Sequence, residues 1–294
     1  MRFELAGSLT IPAPLVIKFN SNQDFDCSKY RDMGYTDFDV ICIGGGGGMG
    51  GGIDTANTGT QIRSYGGAGG GGGLHRVQGL LSALPAICPI VVGAGGSLGT
   101  EHSDNVGLTT DGGDGGASSF NGTTCQASGG KGGKRVQSNS LTVTTSANGG
   151  EGGLGGRTIA GGGALGGTAG TPSATGPGIA GTAGADGTWF GSIGQGGGGG
   201  AGGVGKYGSG GTTCNAATNG GRGSYNPGDT SVYGPGGIPS TDPGSGSANV
   251  RPGSASGAKA APVNGLPTVY GQSKGIRTPS DPGTVIIRLT ANLR

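Results

Sequence analysis

Charged residues are scarce in this sequence. Asp, Glu, Lys and Arg make up 12% of the 294 residues, and the formal net charge at pH 7 is +2, whereas ordinary globular domains contain about 25% charged residues. Disorder that is driven by charge needs a high net charge, so that class of disordered chain is not indicated. The basic residues are dispersed, with no aromatic residues alternating with them. We therefore expect neither a nucleic acid nor an acidic membrane surface as a partner.

Long apolar runs are also missing. The longest one, LLSALPAICPIVV from Leu80, contains Pro85 and Pro89 and falls short of the ~20 residues that span a bilayer. The N-terminal sequence MRFELAGSLTIPAPLVIKF places Glu4 and Pro12 where a secretory signal needs an unbroken apolar core. We therefore expect no membrane insertion and no export signal.

Cysteine and histidine are too few and too scattered to suggest a metal or cofactor site. The cysteines are odd in number and lack C-x-x-C spacing, and neither His75 nor His102 has a second histidine or a cysteine cluster at ligand spacing. We interpret the cysteines as reduced thiols of a chain that folds in a cytosol. They are Cys27, Cys42, Cys88, Cys125 and Cys214.

No catalytic arrangement is indicated either. His102, Ser103 and Asp104 are adjacent in sequence, so they do not point at one another as a catalytic triad requires. The acidic residues are too scattered to nominate a pair for glycoside hydrolysis. Asp111 and Asp114 leave open a Ca²⁺ ion held in a turn. We predict no catalytic, cofactor-binding or metal-binding residues, and no enzyme activity.

Two stretches look like the glycine turn of a dinucleotide-binding fold, namely DVICIGGGGGMGG and PIVVGAGGSLG. Such a site needs a helix N-terminus to receive the pyrophosphate and an acidic residue about 20 positions further on. The first stretch is followed by glycine-rich sequence that cannot form a helix, and the second by TEHSDNVGLTTDGG, which is no better. We therefore predict no nucleotide site.

What the sequence has instead is glycine. It contains 78 glycines, and 58 of them lie between Gly44 and Gly205. Many occur in triplets, as in GGDGGA from Gly112, GGKGGK from Gly129 and GGEGGLGGR from Gly149. A period of three matches an extended helix with three residues per turn and no internal hydrogen bonds. A Gly-Gly-X repeat in such a helix has two bare faces and one face that carries side chains.

A flexible linker is the simplest alternative, because each glycine costs ~0.5–1 kcal/mol more to order than alanine does. Bare helices can approach closely enough for N–H and C=O groups to pair between neighbours, which would offset that cost. Collagen is rejected, since it needs glycine at every third position without a break and frequent proline, and the longest strict runs here lack proline. We therefore expect the glycine blocks to be ordered, as extended helices that pack backbone to backbone.

Strands are predicted on both sides of the glycine blocks. Alternating apolar residues predict strands at Leu15–Phe19, Thr36–Ile43 and Thr284–Thr290, with Phe38, Val40 and Cys42 on one side of the second. We expect the second and the last strand to pair, which would close the glycine blocks into one domain. No helix is predicted with any strength, and the nearest candidate is Gly79–Leu84.

These features predict an irregular fold with little helix, in which packed glycine helices are framed by a few β-strands, so that the fold is all-β by strand content. We divide the chain into an N-terminal attachment segment, 1–35, and a glycine-rich domain, 36–294. The second contains a long loop-like insert at 207–283, rich in proline, and a closing strand at 284–290.

Five pieces carry a resemblance to a known family. In chain order they are DVICIGGGGGMGGG, PIVVGAGG, GGDGGASSF, GGGGGAGG and GTVIIRL. Their content and order resemble the glycine-rich domain of bacteriophage minor tail proteins and tail-fibre adhesins of the actinobacteriophage type. The resemblance implies a structural and adhesive virion protein of the tail tip or fibre, made in the host cytoplasm. It also implies that the glycine blocks form a polyglycine-II helix bundle, with loops at its ends that meet a host cell-surface glycan. The same resemblance implies a homo-oligomer bound to other phage tail proteins.

Aromatic residues in the inserts are the candidate contacts with the host surface. They either dock on the bundle or stack on sugar rings, since aromatic side chains supply much contact area at little entropy cost. These residues are Tyr65, Trp189, Phe190, Tyr207, Tyr225 and Tyr233. Two other classes remain open, a glycine-rich structural protein of a cell surface or matrix and, less favoured, a binding enzyme.

Overall fold

A computed structural model describes residues 11–51, 67–100, 109–135 and 280–292, together with a set of short strands in the remaining sequence. In the described residues the fold is low in helix and its regular elements are mostly strands, as predicted. In the described part the helical elements are a six-residue helix, α1 (Cys27–Asp32), and a 3₁₀ turn at Leu81–Ala83. The strands are β1 (Leu15–Phe19), β2 (Gln23–Asp26), β3 (Asp37–Ile43), β4 (Ile53–Asn57), β5 (Thr60–Ser64), β6 (Leu74–Leu80), β7 (Ile87–Val91), β8 (His102–Ser103), β9 (Ser118–Phe120), β10 (Cys125–Ala127), β11 (Trp189–Phe190), β12 (Ile193–Gly194), β13 (Val204–Tyr207), β14 (Pro239–Pro243), β15 (Ala258–Ala260), β16 (Ile276–Arg277) and β17 (Thr284–Thr290).

The three predicted strands are all present. β1 and β17 have the predicted bounds, and β3 begins one residue later than expected. The helix candidate Gly79–Leu84 is wrong, because its first two residues complete β6 and only a 3₁₀ turn follows. Helix α1 was not predicted. It is too short to show a helical period, and it begins because the Asp26 carboxylate accepts a hydrogen bond from the backbone N–H of Lys29 at 3.0 Å.

Two antiparallel sheets form the base of the molecule. The larger has the order β1-β17-β3-β6-β12-β11 and the smaller the order β10-β9-β7-β2. The predicted pairing of β3 with β17 is confirmed, with Val40 opposite Ile287 and Phe38 opposite Leu289. Alternate residues of a strand lie on one face, and the predicted apolar face of β3 is buried between the two sheets.

The core between the sheets is built from side chains of both. Phe120 of the smaller sheet lies at its centre, fully buried, with its ring 6.0 Å from that of Phe25 and 6.2 Å from that of Phe38. The residues that share this core include Phe19, Val40, Cys42, Leu81, Cys88, Ile90, Cys125, Val285, Ile287 and Leu289.

The N-terminal segment contributes to both sheets. β1 pairs with β17 along all five of its residues, and β2 pairs with β7. The attachment role of residues 1–35 stays a prediction. Within the insert at 207–283, the structure describes Tyr207 at the end of β13, residues 280–283 and the strands β14, β15 and β16. The last three form a small sheet of their own.

Candidate interaction surface and its glycine scaffold

Six described segments without strand hydrogen bonding continue from the strands of the two sheets. Segment one is 44–51, segment two 67–73, segment three 93–100, segment four 109–117, segment five 128–135 and segment six 280–283. Segments one, three and five follow β3, β7 and β10. Segments two, four and six precede β6, β9 and β17. The two sheets therefore hold one end of every segment.

Segment one donates its backbone hydrogen bonds with a period of three residues. Each set of residues three apart faces one neighbouring segment, at N···O distances of 2.8–3.0 Å. The donors Gly44, Gly47 and Gly50 bond to the carbonyls of Gly73, Gly70 and Gly67; Gly45, Gly48 and Gly51 bond to those of Gly116, Gly113 and Thr110; and Gly46 bonds to that of Asp281. Segments two, four and six thus surround segment one on three sides.

Segment five lies between segments two and four, and segment three lies between segments four and six. Gly96 and Gly99 donate to the carbonyls of Gly46 and Met49, both at 2.8 Å, and Gly130 and Gly133 donate to those of Gly45 and Gly48, both at 2.9 Å. All five other described segments are therefore bonded to segment one. Those neighbours are also bonded to one another, in the order two, five, four, three, six.

The segments alternate in direction around the centre. Partner numbers in segments two and four fall as those of segment one rise, so these two run antiparallel to it, whereas segments three and five run parallel to it. All residues of segments one and two are buried, and a buried backbone N–H or C=O needs a partner. The lateral hydrogen bonds supply those partners without any regular sheet.

Glycine is required in the centre because the backbones are in contact. A Cβ at Gly48 would lie 1.8 Å from the carbonyl oxygen of Ser97, and a Cβ at Gly45 would lie 2.1 Å from that of Ala94. Real Cβ atoms essentially never approach a heavy atom below 3.0 Å. The two bare faces that the triplets predict are thus the faces that touch neighbouring segments.

Side chains of the triplets lie on the outside. Asp111 and Asp114 of segment four are exposed, and so are Lys134 and Lys131 of segment five. The Lys131 Nζ lies 2.7 Å from Asp114 Oδ2 and the Lys134 Nζ 2.9 Å from Asp111 Oδ2. Each carboxylate also accepts a backbone N–H, at 2.8 Å for Asp111 and 2.9 Å for Asp114. Because the charged residues recur at every third position, the two ion pairs lie in a row between segments four and five, which we call the Asp–Lys seam.

Asp111 and Asp114, the residues considered for a Ca²⁺ ion held in a turn, are both engaged in ion pairs. Partial burial raises the pKa of each carboxyl, but the hydrogen bonds and the facing ammonium groups outweigh it, so both pKa values lie below the usual range. A cation at this place would have to displace two lysine side chains. In the residues that the structure describes, no group of three His, Cys, Asp or Glu side chains could hold a metal ion.

At the end away from the base, three segments continue into a separate sheet. β4 follows segment one, β5 precedes segment two and β8 follows segment three. With β13 they form a sheet of order β13-β5-β4-β8, which we call the distal sheet. Beside it, Thr100 N donates to Thr110 Oγ1 at 2.7 Å, and an Arg135 guanidinium nitrogen donates to the carbonyl of Thr109 at 3.0 Å.

The residues predicted to contact the host surface do not lie in one place: one is in the distal sheet and two are in the base. Tyr207 ends β13 and lies opposite Gln61 in the distal sheet. Trp189 and Phe190 form β11, at the edge of the larger sheet of the base, so they are not in the same sheet as Tyr207. Tyr65, Tyr225 and Tyr233 lie outside the described residues.

Sequence reasoning missed the threonine and arginine contacts of the distal end, since nothing in the pattern distinguished Thr100, Thr110 or Arg135. The Asp–Lys seam did leave a signal. GGDGGA and GGKGGK carry opposite charges at the same position of the triplet, which suits adjacent segments of either relative direction.

The two histidines and Ser103 take part in strand pairing or in hydrogen bonds to the backbone. His102 and Ser103 form β8, paired with Ile53 and Asp54, and Asp104 lies outside the described residues. The His75 Nδ1 accepts a hydrogen bond from the backbone N–H of Gln126 at 3.1 Å. The four described cysteines are free thiols and are buried. None of the described helices is long and apolar enough to cross a membrane.

No protein-family model matches the sequence, and no curated protein is significantly similar to it. Function must therefore be inferred from the glycine scaffold, from its two ends and from the resemblance of the sequence pieces.

Proposed function

We propose that this chain is a structural and adhesive virion protein, a minor tail protein of the tip or fibre of a phage tail. Its six glycine segments are polyglycine-II helices, and they carry the distal sheet toward the host surface. The base, which includes β1 and β2 of the N-terminal segment, faces the other tail proteins.

The single observation that carries the proposal is the period of three in the hydrogen bonds of segment one. In a helix with three residues per turn, residues i, i+3 and i+6 face the same neighbour. Gly44, Gly47 and Gly50 behave in this way toward segment two, and Gly45, Gly48 and Gly51 do so toward segment four. A strand would instead alternate its partners with a period of two.

Such a bundle suits a spacer that must not bend. At ~3.1 Å per residue, an eight-residue segment is roughly 25 Å long. Segment one is bonded to all five neighbours, and each neighbour is bonded to at least one other, so bending one segment would break bonds to others. A rigid shaft keeps the distal end in a fixed orientation, which lowers the entropy cost of binding. Recognition then belongs to the polar sequence of the distal end, with Tyr207 as its candidate aromatic contact.

Cryo-electron microscopy of the particle that incorporates this chain tests the proposal. We expect density for packed extended rods at the tail tip or fibre, next to a two-sheet base. Absence of the chain from purified tails would overturn the virion assignment. Its recovery from a cell envelope or matrix fraction would instead favour a cell-surface structural protein.

A competition assay tests the adhesive part. Purified chain added to host cells should reduce adsorption of the phage, and Tyr207→Ala should weaken that competition. Met33→Ala is the matched control, since Met33 is 51% exposed on the base and should change nothing. Equal competition by wild type and both variants would remove Tyr207 from the contact, and no competition by the wild type would contradict adhesion by this chain.

A further inference from the structure

Two cysteines that are far apart in sequence face each other in the base. Cys27 is the first residue of α1, directly after β2, and Cys88 lies in β7. The backbone N–H of Cys27 donates to the carbonyl of Ala86 at 2.8 Å, which extends the pairing of β2 with β7 up to this residue. The two sulfur atoms are 3.2 Å apart, and both residues are fully buried.

The other two described cysteines, Cys42 and Cys125, also contact each other through their side chains, but both of their thiols hydrogen-bond to the backbone as well. The Cys42 thiol donates to the backbone carbonyl of Cys125 at 3.4 Å, and the Cys125 thiol donates to the carbonyl of His75 at 3.2 Å. Cys27 has only a distant carbonyl, that of Phe25 at 4.0 Å. Its close contact is the sulfur of Cys88, so these two thiols are arranged toward each other.

We propose that Cys27 and Cys88 form a disulfide once the protein has left the reducing cytosol. The S–S bond is ~2 Å long, so the sulfur atoms have to approach by only about 1 Å from their positions as thiols. Sequence reasoning treated all five cysteines as reduced, and the proposal keeps that state for the newly folded chain. It does not depend on the proposed function beyond the chain reaching an oxidising environment.

The oxidant is a small-molecule disulfide of the glutathione type. The thiolate of one cysteine attacks that disulfide, forms a mixed disulfide and releases one small thiol. The thiolate of the second cysteine then attacks the protein sulfur of the mixed disulfide, forms the Cys27–Cys88 bond and releases the second small thiol. Two electrons and two protons pass from the protein to the small disulfide, which is reduced to two thiols.

The cross-link would enclose the centre of the molecule. The chain between Cys27 and Cys88 contains β3, segment one, β4, β5, segment two and β6. Both fully buried glycine segments therefore lie within the closed loop. Because a disulfide restricts the unfolded chain most when the loop is long, the bond would stabilise the part of the fold that has the fewest side chains to hold it.

Burial controls how fast the bond can form. Burial raises the pKa of Cys27 and raises that of Cys88 to about 12, although the nearby Arg31 guanidinium opposes both shifts. Since the thiolate is the attacking species, little of it is present at neutral pH in the closed protein. Oxidation should then follow local opening of β2 and α1, or should occur during folding.

The test is refolding of the purified full chain in a mixture of reduced and oxidised glutathione, followed by alkylation, intact mass measurement and peptide mapping. A Cys214→Ser background removes the fifth thiol, which could otherwise exchange. We expect a loss of two hydrogens, a Cys27–Cys88 linked peptide, and Cys42 and Cys125 still open to alkylation after denaturation. The melting temperature should rise by roughly 5–10 °C and should return to its starting value with dithiothreitol.

Cys88→Ser and Cys27→Ser are the matched variants, and both should lose the mass change and the response to dithiothreitol. Absence of the linked peptide in the Cys214→Ser chain that keeps Cys27 and Cys88, or a link that maps to another pair, would overturn the proposal. The peptide map is made on a chain with native Cys27 and Cys88, so a variant that fails to fold does not affect the outcome. Detection of the chain in a tail, which tests the proposed function, is a separate measurement.

Discussion

The base and the six glycine segments, which we call the glycine bundle, bury their backbones in different ways. In the base, large side chains such as Phe120, Ile287 and Leu289 fill the space between two sheets and are fully buried. In segments one and two the buried residues are glycines, apart from Met49 and Ala68. The base excludes water with side chains, whereas the bundle excludes it with neighbouring backbones that pair their N–H and C=O groups.

One chain can therefore contain two kinds of core, an apolar side-chain core in the base and, next to it, a core of paired backbones in the glycine bundle. Each strand aligns its own glycine segment, so the apolar core of the base orders residues that have little tendency to order themselves. The bundle should then depend on contact distance and hydrogen bonding, and the base on side-chain volume. Substitutions in the two regions should differ accordingly.

The largest effect is expected from Gly48→Val in segment one. Its Cβ would lie 1.8 Å from the carbonyl oxygen of Ser97, and neither backbone can move without breaking bonds to other segments. We expect a loss of more than ~4 kcal/mol in the free energy of unfolding, or no folded protein at all, measured by urea unfolding. Ala94→Val is the control, because Ala94 is exposed on segment three, and it should change stability by less than about 0.5 kcal/mol. Wild-type stability in Gly48→Val would contradict backbone contact in the bundle.

Phe120→Ala removes the central ring of the base. Truncation of a fully buried phenylalanine costs about 3–5 kcal/mol, because the cavity left beside Phe25 and Phe38 cannot close completely. Urea unfolding gives the loss, and hydrogen exchange of the segment amides shows whether the bundle opens together with the base. Val16→Ala on β1, where Val16 is 62% exposed, should have almost no effect. Unchanged exchange in the bundle would show that the base does not order it.

Ser118→Ala tests the junction between the two regions. The buried Ser118 hydroxyl accepts a hydrogen bond from the backbone N–H of Gly93, the first residue of segment three, at 2.9 Å. Its loss leaves a buried donor without this acceptor, which costs about 1–3 kcal/mol. Hydrogen exchange at Gly93 should accelerate more than exchange within β7. Ser119→Ala, one residue further on β9, is the control, and an equal loss from both would show that the hydroxyl bond is unimportant.

The two regions also differ in how much of them the sequence can predict. β1, β3 and β17 follow from the alternation of apolar residues, and the pairing of β3 with β17 follows from their positions before and after the glycine blocks. The bare faces follow from the triplet period. The central place of segment one could not be predicted, because glycine has no side chain to distinguish one segment from another.

Other features were hidden for separate physical reasons. The direction and order of the segments depend on backbone bonds that any glycine can make. Helix α1 is shorter than two helical turns, so it has no period to detect. Cys27 and Cys88 are 61 residues apart, and only the pairing of β2 with β7 brings them together. The assignment of Tyr207 as a host contact remains a prediction, since only its place in the distal sheet is known.

The smallest effect concerns the Asp–Lys seam, where side chains do mark the register of two segments. Asp114 and Lys131 are more than half exposed, so solvent screens the pair and a double-mutant cycle with Asp114→Asn and Lys131→Gln should give a coupling of only about 0.2–1 kcal/mol.

The pKa values of Asp111 and Asp114 are lowered in the folded state. Their contribution to stability is therefore present above the ordinary carboxyl pKa of ~3.9 and is lost as the pH falls through the lower folded values. Urea unfolding at pH 7 and pH 3 should show that the wild type loses more stability than the Asp111→Asn, Asp114→Asn variant does. Equal losses would mean that the seam adds no stability, and that backbone bonds alone hold segments four and five in register.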